Sequence, residues 1–282
     1  MVRRFIVFFA CLVVLIGVMA CTTAPKFNFP PGARVGIINL LEPYATHQNF
    51  SSFATKNFTK TYPVDWDMPA YAEGRLRTLL EKDARFTVVE IKVSEKLTRE
   101  LLRLNMVEQV ILSETAPPTV PPPGARSLDT VSDPYDVQVV VVIGSYSGPS
   151  PFRSKDVQLK VQGYGLFTRK LFSGKLGSVF GGLFSFRKAY AYAQIGVVVY
   201  KVQPVIYIHG ARTIAKGRHL RPIKNFDWDA DLSNLPESEL DHAKSPIQGY
   251  INEAVNKALQ KANLTPPPPP KKVREMDQPP SL

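Results

Sequence analysis

The chain has 282 residues, 44% of them apolar, and 35 Lys or Arg against 24 Asp or Glu give a formal charge of +11. That apolar share excludes an unfolded polyelectrolyte and suits a packed core, the length allows one large domain or two small ones, and two cysteines exclude a disulfide scaffold. The positive balance directs attention to anionic partners.

Met1-Val2-Arg3-Arg4 is a short cationic start, the 16 residues Phe5 to Ala20 carry no charge, and Val18-Met19-Ala20 leads straight into Cys21. Charge, length and small residues at the junction read as a secretory signal over residues 1–20, too short to be a comfortable membrane span. The junction Val-Met-Ala-Cys resembles the lipobox of bacterial lipoproteins. That resemblance implies cleavage before Cys21, acylation of its thiol (palmitate among the chains) and attachment to a membrane. Three acyl chains exceed the two signals that stable anchoring requires. Cys11 leaves with the signal, so no thiol is left for a disulfide, a nucleophile or a metal site. Thr22 stands where Asp would imply inner-membrane retention, so the resemblance implies the outer membrane, with the domain in the periplasm. Export also removes nucleic acid from the expected partners.

Residues 21–33 read as a tether carrying Pro25, Pro30 and Pro31, and residues 34–264 as the folded domain. Arg34 to Leu40 is a short apolar run bounded by Pro and Gly, predicting a buried first strand. Residues 44 to 66 are polar and aromatic and read as a loop, with a strand at Phe58 to Tyr62. Asp67 predicts an N-cap, with Pro69 in the first turn of a helix whose apolar stripe is Tyr71, Leu76, Leu79 and Leu80. Phe86 to Val93 alternates as a strand, and Ser94 predicts the cap of a second helix bearing Leu97, Leu101, Leu102 and Leu104. Residues 115–124 hold five prolines and read as an extended connector.

Tyr135 to Tyr146 contains the strongest strand pattern of the chain, Val-Gln-Val-Val-Val-Val-Ile. Val157 to Gln162 alternates, and Tyr190–Val202 with Val205–Ile214 predict an antiparallel pair around Gln203-Pro204. Ser245-Pro246 reads as the start of a last helix with the stripe Ile247, Tyr250, Ile251, Ala254, Val255, Ala258 and Leu259, ended by Asn263. Residues 265–282 form a tail of five consecutive prolines followed by Lys271, Lys272 and Arg274.

Strands in the middle with helices before and after predict α+β: one mixed or largely antiparallel sheet with helices packed on it, in a single main domain. The opening strand, its paired helix and the later valine-rich meander give residues 34 to 262 an element order. That order resembles the periplasmic domain shared by the curli secretion-channel lipoprotein and the lipoprotein activators of penicillin-binding proteins. The resemblance implies a homo-oligomer within an export structure as the alternative to a plain binding role.

Charge is unevenly placed. Val157 to Phe226 contains twelve Lys or Arg and no acid. Within it, Gly163 to Arg187 combines five Phe, six Gly and four cations. Phe with Lys and Arg suits a bilayer interface, where rings enter the acyl boundary and cations meet phosphates. Arg169, Lys170, Phe172, Lys175, Phe180, Phe184, Phe186, Arg187 and Lys188 are therefore the candidate membrane or anion contacts. The bland reading is a glycine-hinged hairpin whose Leu and Phe join the core.

Other constellations are weaker. Asp65-Trp66-Asp67 and Asp227-Trp228-Asp229 place acid beside indole, as sugar sites do, yet caps with an anchoring ring explain them as well. Asp227, Asp229 and Asp231 open like a calcium loop, but Leu232 and Ser238 replace the required Gly and Glu. His47, His209, His219 and His242 have no metal-ligand spacing, and no nucleophile elbow, phosphate loop or dinucleotide fingerprint occurs. The expectation is a non-enzymatic, lipid-anchored envelope component binding anionic lipid or an envelope protein, without metal or cofactor. An envelope-polymer hydrolase ranks third.

Overall fold

The computed structural model describes residues 28–50, 58–104, 107, 122–149, 160–172, 185–212, 218–219 and 237–265. They form an α+β domain, a mixed sheet curled into a half-barrel with four helices. In chain order the elements are β1 (Ala33–Leu40), β2 (Tyr44–Phe50), β3 (Phe58–Pro63), α1 (Met68–Glu81), β4 (Phe86–Glu90), α2 (Glu95–Arg103) and α3 (Pro122–Ser132). They continue with β5 (Val139–Ser145), β6 (Ser147–Pro149), β7 (Lys160–Phe172), β8 (Ser185–Lys201), β9 (Ile206–Arg212), β10 (Arg218–His219) and α4 (Glu237–Lys261). The sheet order is β3-β2-β7-β8-β5-β1-β4, with β9 and β10 on β8 and β6 on β7.

The valine run of β5 explains the layering. Successive side chains point to opposite faces, so a strand apolar at every position needs cover on both. Val139, Val141 and Ile143 pack with Val35, Ile37, Val197 and Val199 under α1 and α4, whose Met68, Leu76, Leu80, Ile251, Val255 and Leu259 fill that side. Val140 and Val142 face Ile38, Leu40, Val198, Leu101 and Leu128 on the side of α2 and α3.

Local chemistry sets the helix starts. Asp67 sits in the left-handed region and its carboxylate accepts from Ala70 N–H at 3.3 Å, with Pro69 in the first turn. Asn39 at the end of β1 donates to the Pro69 carbonyl at 2.7 Å, tying that start to the sheet. Ser94 accepts from Leu97 N–H at 3.4 Å and caps α2.

Three boundaries differ from the sequence reading. Residues 44–50 are a strand, because β2 pairs on one side with β3 and on the other with β7. The proline-rich connector ends earlier, since Pro122-Pro123-Gly124 opens α3, where proline at the first turn costs no hydrogen bond. The last helix begins at Glu237, and Pro246 lies inside it. Leu240 and Ala243 pack on the core upstream of the proline, and that burial outweighs the lost backbone bond.

Where β1 begins, Arg85 joins both ends of the domain. Gly32 N–H donates to the Arg85 carbonyl at 2.8 Å, and the Arg85 guanidinium reaches Asp83 at 2.7 Å and the Asn263 carbonyl at 3.3 Å. The Arg85 guanidinium, chiefly by its hydrogen bond, holds the Asp83 carboxyl below its ordinary value. The pairing therefore stabilises fully above the ordinary aspartate range and is lost as pH falls through the lowered value. Replacing Asp83→Asn should lower the melting temperature by about 2 °C at pH 7, the scale of a partly exposed pair. The gap between variant and parent should close as a calorimetric series falls through that lowered value; a gap that widens would refute the pairing.

Candidate functional site

The sheet divides at one place, and the candidate site grows from that division. β9 and β10 follow one another along one edge of β8, at Gly196↔Arg212 and then Ala191↔Arg218. β5 and β7 therefore share its other edge in succession, at Ile195↔Ser145 and then Gln194↔Gly163. On the far side β1 runs parallel to β5 and β2 runs parallel to β7. Beyond the division β3, β2, β7 and β8 continue as an arm, with β10 on the other edge of β8.

Glycine and tyrosine make the division. Gly165 has φ of 150°, and a Cβ there would collide with the Thr46 carbonyl oxygen, so β2 and β7 approach closely only with hydrogen at that position. The Tyr164 hydroxyl donates to the Glu42 carbonyl at 2.8 Å, holding the β1–β2 link against β7. Tyr192 has the Thr46 and Gln162 carbonyls within 3.3 Å and 3.2 Å. Burial first, then the hydrogen bond to Glu42, pushes the Tyr44 phenol up to about 12. Burial is also the main cause raising Tyr164 and Tyr192. These phenols thus stay protonated as donors.

Inside the arm lies a buried polar cluster. The Thr168 hydroxyl donates to Asn49 Oδ1 at 2.8 Å and is hydrogen-bonded to His47 Nε2 at 2.9 Å. The His47 ring meets Phe58 edge-on at 4.9 Å. Residues about 120 apart in sequence make this cluster, and no local pattern announces it. It ties β2 to β7 by groups that must find each other once water is excluded.

Beyond Thr168↔Ala189 the register is unusual. Arg169 stands opposite Lys188 and Lys170 opposite Arg187; Leu171 is then opposite Phe186, and Phe172 opposite Ser185. Like charges directly opposite in an antiparallel ladder are unfavourable. Two such rungs in succession concentrate four cations within about 7 Å of strand.

The register therefore places Arg169, Lys170, Phe172, Phe186, Arg187 and Lys188 on neighbouring rungs of β7 and β8. Lys160–Phe172 and Ser185–Lys201 pair as antiparallel strands, with Leu166 and Phe167 buried. Lys175, Phe180 and Phe184 lie outside the described residues, as does Cys21.

The other candidates do not assemble. Trp66 is buried in the core beside the cap Asp67, so the first Asp-Trp-Asp is an anchoring ring with a helix cap. Asp227, Trp228, Asp229 and Asp231 lie outside the described residues. His47 is buried in the arm, His209 lies on β9, His219 on β10 and His242 on the exposed side of α4. Among the described residues no group of three or more His, Cys, Asp or Glu could hold a metal, and no helix is long and apolar enough to cross a membrane. A shallow depression lined by Asp129, Thr130, Asp133 and Gln203 lies where α3 meets the β8–β9 turn.

No known protein family matches this chain, and no curated protein does. Among solved structures it is similar to the hypothetical protein CT253 from Chlamydia trachomatis, at 12% identity over 79% of this chain and 98% of that one. The TM-score of 0.29 is too low for that likeness to carry an argument.

Proposed function

We propose that the protein is a lipid-anchored component of the bacterial envelope, held at the outer membrane through acylated Cys21 and facing the periplasm. Its role is non-enzymatic binding or assembly. The observation that carries this reading is the coincidence of Arg3-Arg4, the uncharged run to Ala20 and the small residues running directly into Cys21. The spacing is compatible with it. Cys21 lies seven residues before Asn28, where the described chain begins, and seven residues span at most about 25 Å. The domain is thus held close to its lipid. The phosphate-seeking charge of residues 157–226 fits an envelope rich in anionic groups.

Replacing Cys21→Ser should release the protein from membranes and block maturation. The parent should incorporate palmitate and accumulate as precursor when lipoprotein signal peptidase is inhibited. Unchanged fractionation and processing of the variant would overturn the lipid anchor.

A further inference from the structure

We infer that two open edges of the sheet, β9 and β4, join copies of this chain to one another, head to tail. Among the described residues β9 pairs with β8 alone and β4 with β1 alone, so the run β9-β8-β5-β1-β4 ends in an edge on either side. Natural sheets guard such edges with charge, proline or brevity. β3, the edge of the arm, is guarded in that way by Lys60 and Pro63. β9 is not. It has neither charge nor proline before Arg212, and Ile206 is the exposed large apolar side chain among the described residues, at 41%. Gly210 is partly exposed too, and what a glycine shows to water is backbone. β4 carries Val88 and Val89, one on each face and both only partly buried.

The two edges fit each other in direction, level and charge. β4 is parallel to β1 and β1 to β5, while β5 is antiparallel to β8 and β8 to β9. β9 and β4 therefore point the same way, and a second copy in the same orientation brings them together as a parallel pair. Pairing across the sheet sets Ile206 level with Lys201, Val139, Val35 and Val88, and His209 level with Val199, Val141, Ile37 and Glu90. Paired residues share a face, so Ile206, Val88, His209 and Glu90 all lie on the side of α1 and α4. Copies joined at equal height put Ile206 beside Val88 of the next copy.

Charge selects this pairing over the symmetrical ones. Beside β4 one guanidinium, Arg77, serves three carboxylates: Glu73 at 3.5 Å, Glu81 at 3.9 Å and Glu90 at 3.8 Å. That edge carries negative charge in excess. On the β9 side Lys201, Arg212 and Lys261 are at least partly exposed, Lys261 closing the helix α4 that packs on β9. No acid occurs from residue 157 to 226, a stretch that includes both β8 and β9. Two β9 edges would set cations against cations, and two β4 edges carboxylates against carboxylates. A joint between two different edges leaves one of each unused, so it continues past the dimer until a ring closes. This names a partner for the assembly role proposed above, and it rests on the sheet and not on Cys21.

The test uses the mature chain, residues 21–282, without lipid. Light scattering and native mass spectrometry should find species larger than a dimer at low salt, and these should dissociate as salt rises to about 0.5 M. Glu81→Lys with Glu90→Lys makes both edges cationic, and Lys201→Glu with Arg212→Glu makes both acidic. Each double variant should associate at least about tenfold more weakly than the parent. A 1:1 mixture of the two should assemble again, because every joint then brings opposite charges together. Ile206→Lys, which adds a guard at an exposed position, should weaken assembly of the parent. Melting curves matched to the parent qualify each variant, and the salt series needs no variant.

A parent chain that stays monomeric at every concentration, or double variants that assemble as it does, would overturn the joint. Assembly that stops at a dimer would overturn the head-to-tail arrangement and assign the contact to two like edges. Folded double variants that stay apart when mixed would overturn the pairing of β9 with β4. Failure of the lipid anchor is read separately, by the fractionation of Cys21→Ser, and leaves these outcomes unchanged.

Discussion

Gly165→Ala should destabilise the domain by about 2–6 kcal/mol. The added Cβ would run into the Thr46 carbonyl oxygen and lie 2.7 Å from the Thr46 nitrogen, both backbone atoms. β2 cannot step aside, because β3 holds it on one edge while β7 pairs on the other. The backbone at φ of 150° also disfavours any residue with a Cβ. Strain of about 1–3 kcal/mol and overpacking of similar size sum to about 2–6 kcal/mol. A domain stable by about 5–15 kcal/mol loses much of its margin. Gly74→Ala is the control: nothing lies within 4 Å of its added Cβ on α1, and alanine there should stabilise by about 0.5–1 kcal/mol. Urea unfolding of the two variants should move in opposite directions. A Gly165→Ala protein as stable as its parent would mean that β2 and β7 do not meet as closely as described.

Shortening the chain to Tyr250 should abolish folding, whereas removing residues 266–282 should leave it intact. The longer cut takes away Ile251, Val255, Leu259 and Leu264, all fully buried against the sheet. At about 1.5–3 kcal/mol for each large apolar side chain, the loss is about 6–12 kcal/mol, the whole stability of an ordinary domain. The tail opens with five prolines, which cannot continue α4. Its deletion should change stability by less than about 1 kcal/mol. The boundary falls after Thr265, itself buried, so the cut must spare that residue. A melting temperature that drops sharply on loss of the tail alone would mean that it docks on the domain.

The helix starts at Asp67 and Ser94 and the stripe of α4 were legible because their signals are local. A cap acts on backbone groups two or three residues away, and a stripe repeats each turn. The apolar runs of β1 and β5 were legible for a related reason, since a segment apolar at every position has to be covered on both faces. β2 was not. Tyr44 to Phe50 carries Thr, His, Gln and Asn, which read as loop until Lys60 and Leu166 stand opposite His47. The first turns of α4 were hidden by Pro246, because burial of Leu240 and Ala243 is a tertiary gain.

For the candidate site, the residue types were visible and their juxtaposition was not. Composition alone determined that residues 157–226 are basic and free of acid, and the order Val18-Met19-Ala20-Cys21 is what resembles a lipobox. Those are properties of a linear string, and neither needs a fold. That Arg169 stands opposite Lys188 and Lys170 opposite Arg187, and that apolar rungs follow them outward, is a matter of register. Register depends on where β7 leaves β5 along β8, and that point is set by Gly165 against Thr46 and by Tyr164 on the Glu42 carbonyl. A shift of one residue would move every side chain to the other face. Only the packed sheet decides it, because the partners that hold it lie about 120 residues apart.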